Sequence, residues 1–163
     1  MSIIEKLSSY NFFNYLLPGV LFVVLADVWT KYNFIQRNIV LGAFVYYFIG
    51  LVISRFGSFV LEPILKRTGF VRFADYSDFV TASKTDEQIT LLSEVNNTYR
   101  TLASLLLLLG SLRLYQALDE RFKINSEWAT FSLGLTLLIM FAFSYRKQTA
   151  YISKRIKTAV RKE

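Results

Sequence analysis

Four apolar blocks, each with at most one charged residue, dominate the chain: residues 12–29, 39–56, 102–118 and 128–145. Each is about 17–18 residues long, so as a helix it covers roughly 26 Å at ~1.5 Å per residue. That is short but adequate for the hydrocarbon core of a bilayer. Trp29, Trp128 and Tyr145 stand at block ends, where amphipathic rings prefer the membrane interface. The pattern predicts an all-α, polytopic membrane four-helix bundle in a single domain of 163 residues. Val24-Leu25-Ala26 looks like the end of a signal peptide. Against that reading, the preceding positive region is thin and Pro18-Gly19 interrupts the apolar run.

Charge fixes the expected orientation. Of the 19 Lys and Arg residues, Lys31, Arg37, Arg113, Arg121 and Lys123 fall on one side of the predicted spans. All the others fall on the side that holds both termini and the connection 57–101. The positive-inside rule places that richer side in the cytoplasm. The expectation is therefore a multi-pass protein with both ends cytoplasmic, helical cytoplasmic extensions and short outer loops.

The chain has no Cys, and it has no His. Thiolate nucleophiles and Cys-ligated metal sites are excluded. So are Ser-His-Asp and Cys-His catalysis within this chain. No Gly-rich phosphate loop or aromatic nucleic-acid module is present. No cofactor, no metal and no direct specific nucleic-acid binding are expected, and the chain reads as non-enzymatic.

In the connection, Ser77–Ser83 predicts a short helix with Ser77 as its cap. Thr85 with Gln88 three residues on has the form of a capping box. After it neither Pro nor Gly occurs before Gly110, so one helix is expected from Asp86 to about Leu118. Ile89, Leu92, Val95 and Tyr99 recur at three- and four-residue steps on its first half, an apolar stripe that needs a partner or another copy of the chain. Glu62-Pro63 predicts a helix end or kink. The tail, 146–163, carries an apolar stripe (Ile152, Ile156, Val160) among basic residues. Lys154, Arg155, Lys157, Arg161 and Lys162 are candidates for binding anionic lipid or an acidic partner.

Three further groups suggest contacts. Gly50, Ser54 and Ser58 have the four-residue spacing that lets helices approach closely, within one bundle or between subunits. Asp27 and Arg113 fall at similar depth near the outer ends of their spans, which predicts an intramembrane ion pair. Asn11, Asn14, Arg55, Glu62, Asn96, Asn97 and Arg100 gather near the inner face, where a polar ring forms a gate, a docking surface or a solvated boundary. Gly42, Tyr46, Tyr47 and Gly50 come nearest to a polar line through a span.

The stretches Asn11-Phe12-Phe13-Asn14-Tyr15-Leu16-Leu17-Pro18-Gly19 and Ser93-Glu94-Val95-Asn96-Asn97-Thr98-Tyr99-Arg100, with the basic tail, resemble small four-span subunits of bacterial anti-phage defence systems, the Kiwa type among them. The resemblance is architectural and covers the whole chain. It implies a homo-oligomer, a tetramer, that senses a disturbance at the inner membrane and holds a cytoplasmic protein partner. The expected function is thus an oligomeric membrane sensor or anchor. The alternative is a pore-forming or membrane-disrupting effector, or a small ion channel.

Overall fold

Both prolines sit two residues past a turn of π-helix. Pro18 follows the π turn Phe12–Leu16, and Pro63 follows the π turn Gly57–Leu61. A proline ring inside a regular α-helix strikes the carbonyl four residues back and removes one hydrogen bond. The wider turn, in which Glu62 N–H reaches the Gly57 carbonyl, moves that carbonyl away and lets the helix continue. Of the two outcomes expected at Glu62-Pro63, a helix end or a kink, the end does not occur. The helix runs on to Arg67.

The computed structural model describes residues 12–160. Lys6, Asn11, Arg161 and Lys162 lie outside the described residues. The fold is all-helical: α1 covers 12–29, α2 Ile39–Arg67, α3 Tyr76–Thr85, α4 Glu87–Phe122 and α5 Ser126–Val160. No strand occurs among the described residues. Three of these helices, α2, α4 and α5, are long and apolar enough to cross a membrane. The apolar part of α1, Asn14–Trp29, is shorter.

Capping follows local chemistry. Asp86, not Thr85, caps α4: its carboxylate accepts from Gln88 N–H at 2.9 Å, and Thr85 is the last residue of α3. A carboxylate one residue closer to the free N–H groups competes better than the threonine hydroxyl. At the start of α3, Asp75 and not Ser77 takes the cap position, without a side-chain bond. Asn125 caps α5 through Glu127 and Trp128 N–H. Helix α4 extends past Leu118 to Phe122 and stops at Lys123, whose φ of 49° is left-handed.

α1, α2 and α4 pack together. α5 touches α2 and α3, and its apolar span has none of its residues buried. The small core joins Val23 and Ala26 of α1, Ile53 and Leu61 of α2, and Leu105 and Leu109 of α4. On α4 the buried positions Thr101, Leu105, Leu109 and Gln116 share one face.

The α1–α2 crossing is built on two glycines. A Cβ on Gly19 would overlap the Tyr46 carbonyl, and a Cβ on Gly50 would overlap the Tyr15 carbonyl. Each contact joins a glycine of one helix to the residue four before the glycine of the other. The backbones therefore meet directly, as small residues permit. A Cβ on Gly57 would likewise meet the Ser104 hydroxyl of α4.

At the far end, the loop after α1 is tied to α4. Lys31 N–H donates to Gln116 at 2.9 Å, and Lys31 Nζ donates to Asp119 at 2.6 Å. The hydrogen bond to Asp119 raises the Lys31 pKa above 10.5.

Candidate functional site

One carboxylate gathers the cationic end of the bundle. Glu62, only 8% exposed, sits on the last turns of α2. Its Oε1 accepts from Lys66 Nζ at 2.8 Å, and its Oε2 accepts from Arg100 Nη1 of α4 at 2.6 Å. Lys147 Nζ of α5 lies 4.0 Å from Oε1. The same ammonium donates to Ser58 Oγ at 2.6 Å and to the Ser58 carbonyl at 3.2 Å. Arg55, one helical heptad before Glu62, donates to the Tyr15 hydroxyl at 3.4 Å. Arg55, Lys66 and Arg100 all lie within electrostatic reach of Lys147.

Local structure explains the arrangement. The π turn Gly57–Leu61 contains Ser58 and runs directly into Glu62, so it sets how both present their groups to α5. Gly57 admits Ser104, which brings Arg100, one turn earlier on α4, up to Glu62. Aromatic rings complete the wall. Lys66 lies 4.2 Å from the Phe73 ring centroid, and Lys147 lies 5.4 Å from Phe59 and 5.9 Å from Tyr151. Tyr151 stacks on Tyr76 of α3 at 5.3 Å. The cluster therefore holds α2, α3, α4 and α5 together at one end.

Among the described residues, two buried polar atoms near this end have no hydrogen-bond partner: Asn14 Oδ1, on a residue 2% exposed, and Arg100 Nε. Buried polar atoms are nearly always paired, so each marks unfinished local chemistry.

The sequence-predicted groups separate. Gly50, Ser54 and Ser58 are all buried, but in different roles. Gly50 forms the close crossing, whereas Ser58 receives Lys147. Asp27 and Arg113 form no ion pair. Both are exposed, and the loop after α1 gives Asp27 a nearer donor, Asn33 Nδ2 at 2.6 Å. Arg55, Glu62 and Arg100 come together. Asn96 is exposed, and Asn97 lies one turn before Thr101, whose hydroxyl donates to the Asn97 carbonyl. Lys154, Arg155 and Lys157 are exposed along α5.

On α4, Ile89 is half-buried while Leu92 and Tyr99 are 64% and 67% exposed, and Val95 is also exposed. The same face continues through Ala103, Leu106, Gly110 and Ala117, all exposed. Around Gly110 a Cβ would meet nothing within 4 Å. One uncovered stripe thus runs the length of α4.

Sequence reading missed Gly19, Ser104 and Lys147. The signal for Gly19 was the shared spacing of Tyr15 with Gly19 and Tyr46 with Gly50. Lys147 looked like one more residue of a basic tail, and only the fold brings it to Glu62. No protein-family model matches the chain, no curated protein matches it, and no solved structure matches it.

Proposed function

We propose that this chain is a non-enzymatic, oligomeric sensor or anchor of the bacterial inner membrane. In this reading α1 is a fourth span, both termini are cytoplasmic, and the end carrying α3 and the first half of α4 faces a cytoplasmic protein. The observation that carries it is the uncovered stripe on α4. Leu92 and Tyr99 stand exposed on the part outside the apolar block, and Ala103, Gly110 and Ala117 stand exposed within it. Apolar residues at helical spacing are stable in water only when covered. Small residues in the span let equivalent helices of several copies approach closely. One face then serves two contacts: copies of the chain within the bilayer, and a protein partner below it.

The unpacked span of α5 favours the same reading, since it offers its whole circumference to lipid or to neighbouring subunits. Fourteen basic residues on one side support the orientation. The resemblance to anti-phage subunits supports a defence role and a tetramer. The test is purification of the intact protein in mild detergent, with the mass of the complex and the identity of co-purifying proteins. A defined oligomer with a stoichiometric cytoplasmic protein supports the anchor. An oligomer that conducts ions in a planar bilayer favours the pore instead.

A further inference from the structure

Among the described residues, the cluster around Glu62 holds one carboxylate and four cations. Lys66 and Arg100 share the two carboxylate oxygens. Lys147 is held by Ser58 and stands off at 4.0 Å. Among the described residues, Arg55 has only a long bond to a neutral hydroxyl. One negative charge is thus divided among four positive ones, where part of each cation is withdrawn from water. Arg100 Nε is buried and lacks an acceptor. Aromatic faces soften the excess but supply no negative charge.

Cations so crowded need an anion, and their position names its chemistry. Arg55 closes the apolar block of α2, Lys147 follows that of α5, and Arg100 precedes that of α4. Basic groups between helices at this depth meet the phosphates of lipid headgroups. Guanidinium groups suit phosphate oxygens, which they bind with two donors at once.

We propose that Arg55, Arg100 and Lys147 form a phosphate-binding site that takes the headgroup of an anionic phospholipid from the adjoining leaflet, or a free phosphate ion. Glu62 is the internal counter-charge that holds two of the cations in place. The site is separate from the exposed tail cations Lys154, Arg155 and Lys157, and it does not depend on subunit number.

The test uses the full-length protein in mild detergent, read by native mass spectrometry with dioleoylphosphatidylglycerol or dioleoylphosphatidylcholine added. A third arm measures thermal stability with inorganic phosphate. Arg55→Gln and Lys147→Gln remove cations while leaving the Glu62 bonds to Lys66 and Arg100. Lys147→Arg is the conservative control, and Lys154→Gln/Arg155→Gln/Lys157→Gln removes tail charge. Phosphatidylglycerol is expected to bind in preference to phosphatidylcholine. Affinity should fall about fivefold or more for each cation lost, at roughly 1 kcal/mol each. Lys147→Arg and the tail variant should retain it. Stabilisation by phosphate with no preference for phosphatidylglycerol assigns the site to the free ion. Equal binding of both lipids with no phosphate effect overturns the proposal, as does binding unchanged in both Arg55→Gln and Lys147→Gln. The same spectra report subunit number, so failure of the oligomer reading is seen separately.

Discussion

Replacing Gly50 by Ala tests the helix crossing at its tightest point. The added Cβ would overlap the Tyr15 carbonyl oxygen, stand 2.6 Å from its carbon and 3.0 Å from Tyr15 Cα. Ordinary contact needs about 3.4 Å or more. The obstruction is main chain within a helix, so no side chain can rotate away. α1 and α2 must separate by on the order of 1 Å, which loosens Val23, Ala26 and Ile53 behind them. Overpacking of this kind costs about 1–3 kcal/mol, and the upper part of that range applies because backbone must move. Against this, Ala gains up to ~1 kcal/mol over Gly in a helix. The net loss is therefore about 1–2 kcal/mol. Gly19→Ala, which strikes the Tyr46 carbonyl from the other side, should lose the same. Gly134→Ala meets nothing within 4 Å and should be neutral or slightly stabilising. Denaturation in mixed micelles of increasing sodium dodecyl sulfate fraction, followed by circular dichroism, ranks the three. Equal stability of Gly50→Ala and Gly134→Ala would refute the direct backbone crossing.

Three further outcomes follow from the same contacts. Glu62→Gln leaves the cations around it unpaired and should cost about 3–5 kcal/mol in the same denaturation assay. Adding Lys147→Gln should recover part of that loss, whereas additive effects would mean the two groups do not interact. At the opposite end, Asp119 holds the Lys31 pKa above its ordinary 10.5. The stability from that bond is therefore fully present below 10.5 and lost only as pH rises through the raised value. Thermal midpoints of the wild type and Asp119→Asn should differ by a small constant amount at neutral pH, and on the alkaline side they should converge only in strong alkali. Convergence near pH 7 would contradict the pairing. Finally, changing Lys154, Arg155 and Lys157 together to Gln should weaken binding of the tail to anionic liposomes, as should high salt. Unchanged binding removes lipid as the target of the tail.

The apolar blocks made the helices legible because membrane helices need long uncharged runs, and α2, α4 and α5 are of that kind. The long α4 was readable for the same reason, together with the absence of breakers before Gly110. Side-chain partnerships were less so. Matching depth in a membrane put Asp27 near Arg113, but depth says nothing of azimuth, and the loop supplied Asn33 first. Glu62-Pro63 read as either a helix end or a kink, because the rule for proline assumes regular α geometry. The π turn before it changes that geometry and leaves no mark in composition. Lys147 was invisible as a site residue, since its meaning depends on α5 packing where Ser58 is presented. Gly50 was legible by spacing alone, while Gly19 was hidden beside Pro18.

The central claim is that α4 carries the contact between copies of the chain. It is tested most directly by placing a single Cys at Gly110, on a chain that otherwise has none, and oxidising it in native membranes. Disulfide-linked dimers from Gly110→Cys, absent for a Cys at the buried Leu105, are predicted. Monomer only from Gly110→Cys, Ala103→Cys and Ala117→Cys alike, with a single-chain mass in mild detergent, would contradict the account.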